Sequence, residues 1–227
     1  MPEKNIVAII PARGGSKGIP KKNIINFLGK PLLSHSIEYA KASNLISDIY
    51  VSTDDSEIAK IALDNNVSVI DRPQSISGDF ASTESALIHA IENITYKPDI
   101  IILLQPTSPI RPKNSLDKAI NRFMKDNYDS LLSISPTHRF LWEIDKKIAN
   151  PKYDFKNRPR RQDMDSSDIN YIENGSLYIF TYENLLKNNN RLGGRIGYVI
   201  FDEKYSYEID SMTDLKFLET LSTEIND

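Results

Sequence analysis

The chain has 227 residues, 40% of them hydrophobic and 26% charged, with 28 Lys and Arg against 31 Asp and Glu. That length suits one large domain, or one with a small appendage, and it can bury a core without disulfides or a structural metal. The absence of cysteine excludes a disulfide scaffold, thiolate zinc or iron–sulfur sites and a cysteine nucleophile, and a net charge of -3 gives no global basic field for nucleic acid.

In chain order, Ile6–Ile10 reads as a buried strand, followed by a loop from Pro11 to about Asn26. Pro31–Ser43 places Leu32, Leu33, Ser36, Ile37 and Ala40 on one helical stripe, with Pro31 suited to a first turn. Ile49–Thr53 is a β-branched strand, and Asp54 or Asp55 can cap the helix that runs to Asn65. Val67–Ile70 is a short strand, Thr83–Asn93 a helix, and Ile100–Leu104 an unbroken apolar run of strand length. Buried strands separated by helices predict a mostly parallel, doubly wound α/β sheet covered on both faces. In such folds ligands bind beyond the carboxyl ends of the strands, which directs attention to the loops at 11–26 and 105–112.

From Ser135 to Asn170 the rhythm changes to a polar stretch that holds the single tryptophan, Trp142, and has no long periodic pattern. It reads as a lid or as an excursion that packs on another subunit. Tyr171–Phe180 returns to β character, with an Asn174-Gly175 step that resembles a hairpin turn. Ile196–Phe201 is a further strand, Glu208–Ile209 a short one, and Thr213–Ile225 a closing helix. The longest apolar runs are five residues, far below the ~18 that span a membrane, and the first residues have no signal-peptide layout. A cytoplasmic protein with no membrane partner is expected.

The mild net charge hides local concentration. Lys17, Lys21 and Lys22 fall within six residues, and Arg158, Arg160 and Arg161 within four. The first group belongs to Pro11–Asn23, PARGGSKGIPKKN, where Gly14, Gly15 and Gly18 let backbone approach a ligand closely. Successive backbone N–H groups in such a loop make a nest for anions, and Arg13, Lys17 and Lys22 add fixed positive charge. The spacing is neither G-x-G-x-x-G nor a Walker loop, which argues against a dinucleotide oxidoreductase and a P-loop NTPase. Near the other end, Glu208 and Asp210 flank one apolar residue, and strand alternation would put both carboxylates on one face to share a hard cation. His35 and His89 lie inside helical segments and read as packing residues, while His138 lies in the excursion.

Pro11–Asn23 after a first strand, Leu104-Gln105-Pro106-Thr107-Ser108-Pro109 after a later one, Arg161-Gln162, Asn174-Gly175-Ser176-Leu177-Tyr178 and Glu208-Ile209-Asp210 occur in one order along the chain. In these motifs the sequence resembles the acylneuraminate cytidylyltransferases, or CMP-sialic acid synthetases, from about residue 6 to residue 218. The resemblance implies a fold of the nucleotide-diphospho-sugar transferase type. Its catalytic domain would be residues 1–134 and 171–227, and 135–170 a dimerisation or lid excursion making a homodimer. It implies transfer of CMP from CTP to a nine-carbon 2-keto sugar acid with release of pyrophosphate, assisted by Mg2+ or Mn2+.

Carried over by position, Arg13, Ser16, Lys17, Lys22 and Asn23 look like the CTP loop, and Arg72 matches a position near cytosine and ribose. Ser82 and Thr83 fall where the family contacts the base. Gln105 and Arg161 match residues that face the sugar acid, with Arg160 an open alternative to Arg161, and Asn174 and Tyr178 look like walls of the sugar site. Asp210 looks like a metal ligand. Glu208 stands where the family often has Asp, which makes an indirect contact with the cation plausible. Arg13, Lys22 and Asp210 are the residues expected to carry catalysis. No side chain stands out as a general base, so activation of the sugar hydroxyl is expected to fall to the metal beside Asp210. Relatives acting on legionaminic or pseudaminic acid share these motifs; a 3-deoxy-manno-octulosonic acid enzyme is less expected because its first loop usually differs. A non-catalytic nucleotide-binding module would be expected to lack the loop cations or the acidic pair.

Overall fold

A computed structural model describes residues 4–164 and 169–225. The first half runs β1 (Ile6–Pro11), β2 (Asn26–Phe27), β3 (Lys30–Pro31), α1 (Leu32–Lys41), β4 (Asp48–Thr53), α2 (Ser56–Asp64), β5 (Ser68–Asp71), α3 (Thr83–Glu92) and β6 (Ile100–Leu103). The second runs α4 (Ser115–Lys125), β7 (Ser130–Thr137), β8 (Trp142–Asp145), β9 (Ile148–Pro151), β10 (Asn170–Thr181), α5 (Tyr182–Asn188), β11 (Ile196–Ile200) and α6 (Met212–Ile225).

Seven strands form one sheet in the order β11-β7-β10-β6-β1-β4-β5. β1 pairs parallel with both β4 and β6, β4 with β5, and β11 with β7, while β10 is antiparallel to β6 and β7. The expected α/β fold is present, its sheet mixed because β10 returns in the opposite sense. The period-two pattern of the central strands explains why helices cover both faces. Ile6, Ala8 and Ile10, with Ile100, Ile102 and Leu104, pack toward Leu33, Ile37, Ala62, Ile120 and Phe123 of α1, α2 and α4. Val7 and Ile9, with Ile101 and Leu103, face Leu87, Ala90 and Ile91 of α3 and Leu185 of α5. Every residue of β6 is buried, so an apolar run without alternation is the sequence such a strand requires.

Two sequence expectations change here. Asn174-Gly175 is no hairpin turn. β10 runs through it as one 12-residue strand, and the register slips between Glu173 and Tyr178, with Gly175 at φ 64°. An asparagine–glycine pair can make a bulge as readily as a turn, since both use a left-handed glycine. Glu208–Ile209 is not a strand either; the segment runs irregularly between Tyr205 and the start of α6. The segment 135–170 contains a two-stranded β8–β9 sheet of its own, and both strands are almost wholly exposed.

Candidate active site

The strand order reverses at β1, with β4 on one side and β6 on the other, so the loops after β1 and β6 diverge and leave a crevice at the carboxyl edge. A cavity of about 290 Å³ occupies it. Its floor is Pro11 and Asn23, and Arg13, Gly15, Ser16 and Lys22 come from the first loop. Arg72, Asp79, Ser82 and Thr83 form the wall beyond β5, and Gln105, Pro106 and Thr107 form the wall beyond β6. A larger cavity, of about 740 Å³, lies against α1 and α4 and carries none of the predicted site residues.

The first loop is held open by its own polar groups. Asn23, buried, donates Nδ2 to the Arg13 carbonyl at 2.9 Å, and the Gly14 amide donates to Asp54 Oδ1 at 3.0 Å. Asn23 thus shapes the loop. Gly18 is required sterically, since a Cβ there would lie 2.2 Å from the Asp210 carbonyl oxygen. That close approach brings the loop against the 208–210 segment, where Lys22 Nζ meets Asp210 Oδ1 at 2.9 Å.

Lys21 pairs with Glu57, and Arg13 and Lys17 are occupied by Asp79. Arg13 lies 3.3 Å and Lys17 3.0 Å from its carboxylate, and Arg13 also donates to the Gly78 carbonyl at 2.6 Å. Asp54, Asp79 and Arg111 escape a reading of the sequence by motif. Asp54 alone carried a usable signal, an acidic residue directly after the carboxyl end of a parallel strand. The capping role falls instead to Asp55, whose Oδ1 accepts from the Glu57 and Ile58 amides.

Arg72 is 6% exposed, yet its Nε and Nη2 have no hydrogen-bond partner, and its closest carboxylate oxygen, on Asp54, is 3.9 Å away. Burial pulls its pKa down, partly offset by Asp54, and Arg13 adds to the fall. A buried guanidinium with idle donors at a cavity wall is costly unless an acceptor arrives from outside the chain. Ser82 caps α3, its Oγ accepting from the Ser85 amide at 3.0 Å, and Thr83 opens that helix.

On the opposite wall, Gln105 and Glu208 converge on the β10 bulge. A Cβ on Gly175 would lie 1.8 Å from Glu208 Oε1 and 3.1 Å from Gln105 Oε1, so the missing side chain makes room for both. Burial raises the pKa of Glu208, the Asp210 charge raises it further, and Lys22 and a hydrogen bond from Ser108 oppose the rise. Glu208 thus feels the charge of Asp210 although no strand joins them.

Three predicted sugar-site residues are placed otherwise. Asn174 is 1% exposed and engaged at both ends of its amide: its Oδ1 accepts from Ser133 Oγ at 2.5 Å and from the Ser176 amide at 3.2 Å, and its Nδ2 donates to Ser135 Oγ at 3.0 Å. It fixes the bulge. Tyr178 is 2% exposed, donates its hydroxyl to Glu173 and lies under the Arg191 guanidinium at 4.5 Å, with its pKa raised mainly by burial. Arg161 starts a short 3-10 turn, is exposed and does not line the cavity, while Arg160 pairs with Asp163 at 2.5 Å.

The sequence matches the cytidylyltransferase family profile over residues 7–225. It is 36% identical over 212 residues to N-acylneuraminate cytidylyltransferase A of Danio rerio, covering 91% of this chain and 48% of that protein. It is 33% identical to a pseudaminic acid cytidylyltransferase of Campylobacter jejuni, covering 96% of both chains. The chain thus spans about half the length of the fish relative and nearly all of the bacterial one. Among solved structures, a CMP:2-keto-3-deoxy-manno-octonic acid synthetase complexed with CTP superposes with a TM-score of 0.71 at 17% identity, over 97% of this chain and 99% of that one. A 4-diphosphocytidyl-2C-methyl-D-erythritol synthase of Anaerococcus prevotii gives 0.70 at 15% identity, over 97% of both. With its doubly wound sheet and its cationic loop at the switch point, this chain belongs to the cytidylyltransferase family.

Proposed function

We propose that the protein transfers the CMP moiety of CTP to the anomeric hydroxyl of an N-acylneuraminate-type nonulosonic acid, releasing pyrophosphate. The observation that carries the reading is Arg72, a buried cation with idle donors beside a loop bearing Arg13, Lys17 and Lys22. Family membership supplies the reaction class. A second reading for the sugar, pseudaminic acid, is favoured by the match that covers nearly all of both chains.

In this reaction the anomeric hydroxyl loses its proton to solvent and its oxygen bonds the α-phosphorus in line, while the bond from that phosphorus to the bridging oxygen breaks and pyrophosphate leaves with the electron pair. Two anions must be brought together, and charge accumulates on the departing pyrophosphate. Arg13 and Lys17 exchange Asp79 for the phosphates and hold that charge, while the backbone amides of the glycine loop orient it. Arg72 meets the nucleoside side. Gln105, neutral, orients the sugar acid without repelling its carboxylate.

Asp210 and Glu208 are oxygen donors of the kind a hard divalent cation takes, and the pKa of Glu208 is raised by burial first and by the Asp210 charge second. A cation such as Mg2+, held by one or two carboxylates, takes its remaining ligands from phosphate and water. Held there, Mg2+ would neutralise the triphosphate and acidify the attacking hydroxyl. Lys22 Nζ, 2.9 Å from Asp210 Oδ1, ties the cationic loop to that carboxylate.

The reading includes a homodimer in the cytoplasm, where CTP is made. Trp142, Ile144, Ile148 and Phe155 of the 135–170 excursion are 50–69% exposed, an apolar group of the kind that a subunit interface covers. Light scattering that gave a monomer at micromolar concentration would remove the dimer from the proposal. For the nucleotide site, Arg72→Met should weaken CTP binding by about 10-fold or more, the loss of a charged hydrogen-bond donor. It should also raise the melting temperature of the free protein, because a buried charge with idle donors and only a distant partner, Asp54, is gone. Unchanged CTP affinity by calorimetry would withdraw Arg72 from the site.

A further inference from the structure

We propose that Arg111 is a positioning residue that sets the distance between the Gln105 loop and the β10 bulge, and through it the binding of the sugar acid. The proposal rests on the reading of the cleft given above. Arg111 lies in the loop between β6 and α4 and is 8% exposed. Its three nitrogens point to three different elements. Nη2 donates to the Gln105 carbonyl at 2.8 Å, Nε to the Ser176 carbonyl at 3.0 Å, and Nη1 to Ser36 Oγ on α1 at 3.1 Å. The guanidinium lies over the ring of Tyr39 at 5.1 Å.

Among the described residues no carboxylate pairs with this cation, and burial lowers its pKa to about 10, which leaves it charged at neutral pH. A buried charge without a counter-ion is retained at a cost that apolar packing would avoid. What the fork provides is reach. Gln105 and Ser176 lie beside a contact in which the two walls of the sugar side meet, where a Cβ on Gly175 would fall 3.1 Å from Gln105 Oε1. Arg111 ties the main chain on both sides of that contact and anchors it to α1, whose Ser36 is wholly buried. A lysine, with its donors at one point, cannot span acceptors on three elements. The CTP loop shares none of these bonds, so the effect falls on one substrate.

The test compares Arg111→Met, Arg111→Lys and Ser36→Ala with the wild type in pyrophosphate release, varying sugar acid at saturating CTP and then the reverse, with CTP affinity measured separately by calorimetry. Arg111→Met should lower kcat/KM for the sugar acid on the order of 10²-fold, as a displacement near 1 Å does, while leaving CTP affinity within about twofold of wild type. Arg111→Lys should keep the charge but recover only a small part of the loss. Ser36→Ala, a mild change that keeps the protein testable if Arg111→Met fails to fold, should give the same sugar-selective loss at about fivefold. Equal losses toward CTP and sugar, full rescue by lysine, or a Ser36→Ala enzyme with wild-type sugar kinetics would overturn the role of Arg111. A wild type silent with CTP and every nonulosonic acid would overturn the underlying reading as well.

Discussion

Gly175→Ala puts a single methyl group at the meeting point of the proposed cation site and the sugar site. The residue sits at φ 64°, and an L-residue in that left-handed region costs roughly 1–2 kcal/mol. For a chain of this size that corresponds to a drop of roughly 2–8 °C in melting temperature. The new Cβ would lie 1.8 Å from Glu208 Oε1, where ordinary contacts begin at 3.4 Å, so the carboxylate must retreat by about 1.6 Å. The retreating group is the end of a flexible side chain, which keeps the folding cost small, but it is one of two carboxylates proposed to hold the cation. A displacement of that size near the reacting atoms costs about 10²-fold in turnover. The expected result is a folded, slightly less stable enzyme, with kcat reduced on that scale and a higher Mg2+ concentration needed for half-maximal rate, while CTP affinity without metal stays unchanged. The assay is pyrophosphate release across a Mg2+ titration, beside calorimetric unfolding. Wild-type turnover with an unmoved Mg2+ midpoint would refute the reasoning, since the carboxylate would have moved with no consequence.

Asp79→Asn should tighten CTP binding by about two- to fivefold at low salt, because Arg13 and Lys17 no longer have to leave a carboxylate. The gain should shrink as salt is raised, and weaker binding by calorimetry would mean that Asp79 itself contributes to the nucleotide site. His35 titrates below the usual imidazole range, chiefly because it is buried, while its Nε2–H donates to the Phe27 carbonyl. The neutral ring is the folded form, so its contribution is fully present above pH 6.5 and is lost as pH falls through the depressed folded value. His35→Gln should flatten the fall in melting temperature below that pH, and a profile unchanged from wild type would contradict it.

The central strands and their flanking helices are legible in the sequence because β1 and β6 are apolar on both faces and the helices around them carry a stripe. Motif order also identified the cationic loop, Gln105 and the acidic pair, since glycine spacing and local charge are written in consecutive residues. The rest depends on contacts across long separations. Asn174 looks like a ligand-facing amide until Ser133 and Ser135 of the neighbouring strand are seen to engage both its oxygen and its nitrogen. Arg111 looks like a loop terminus until α1 and β10 close over it. Asp79 shows no motif at all, and only the fold places it against Arg13 and Lys17. Alternation would pair Glu208 with Asp210 only on a strand, and none forms there; instead Gly18 lets its loop approach the Asp210 carbonyl, and Gly175 leaves room for the Glu208 carboxylate.

The most direct test is CTP-dependent pyrophosphate release over a panel of N-acetylneuraminic, legionaminic, pseudaminic and 3-deoxy-manno-octulosonic acids, each with and without Mg2+. Release that requires CTP, Mg2+ and a nine-carbon acid together, with one CMP-sugar formed per pyrophosphate, is the predicted result. Binding of CTP without pyrophosphate release on addition of any of these acids would contradict it.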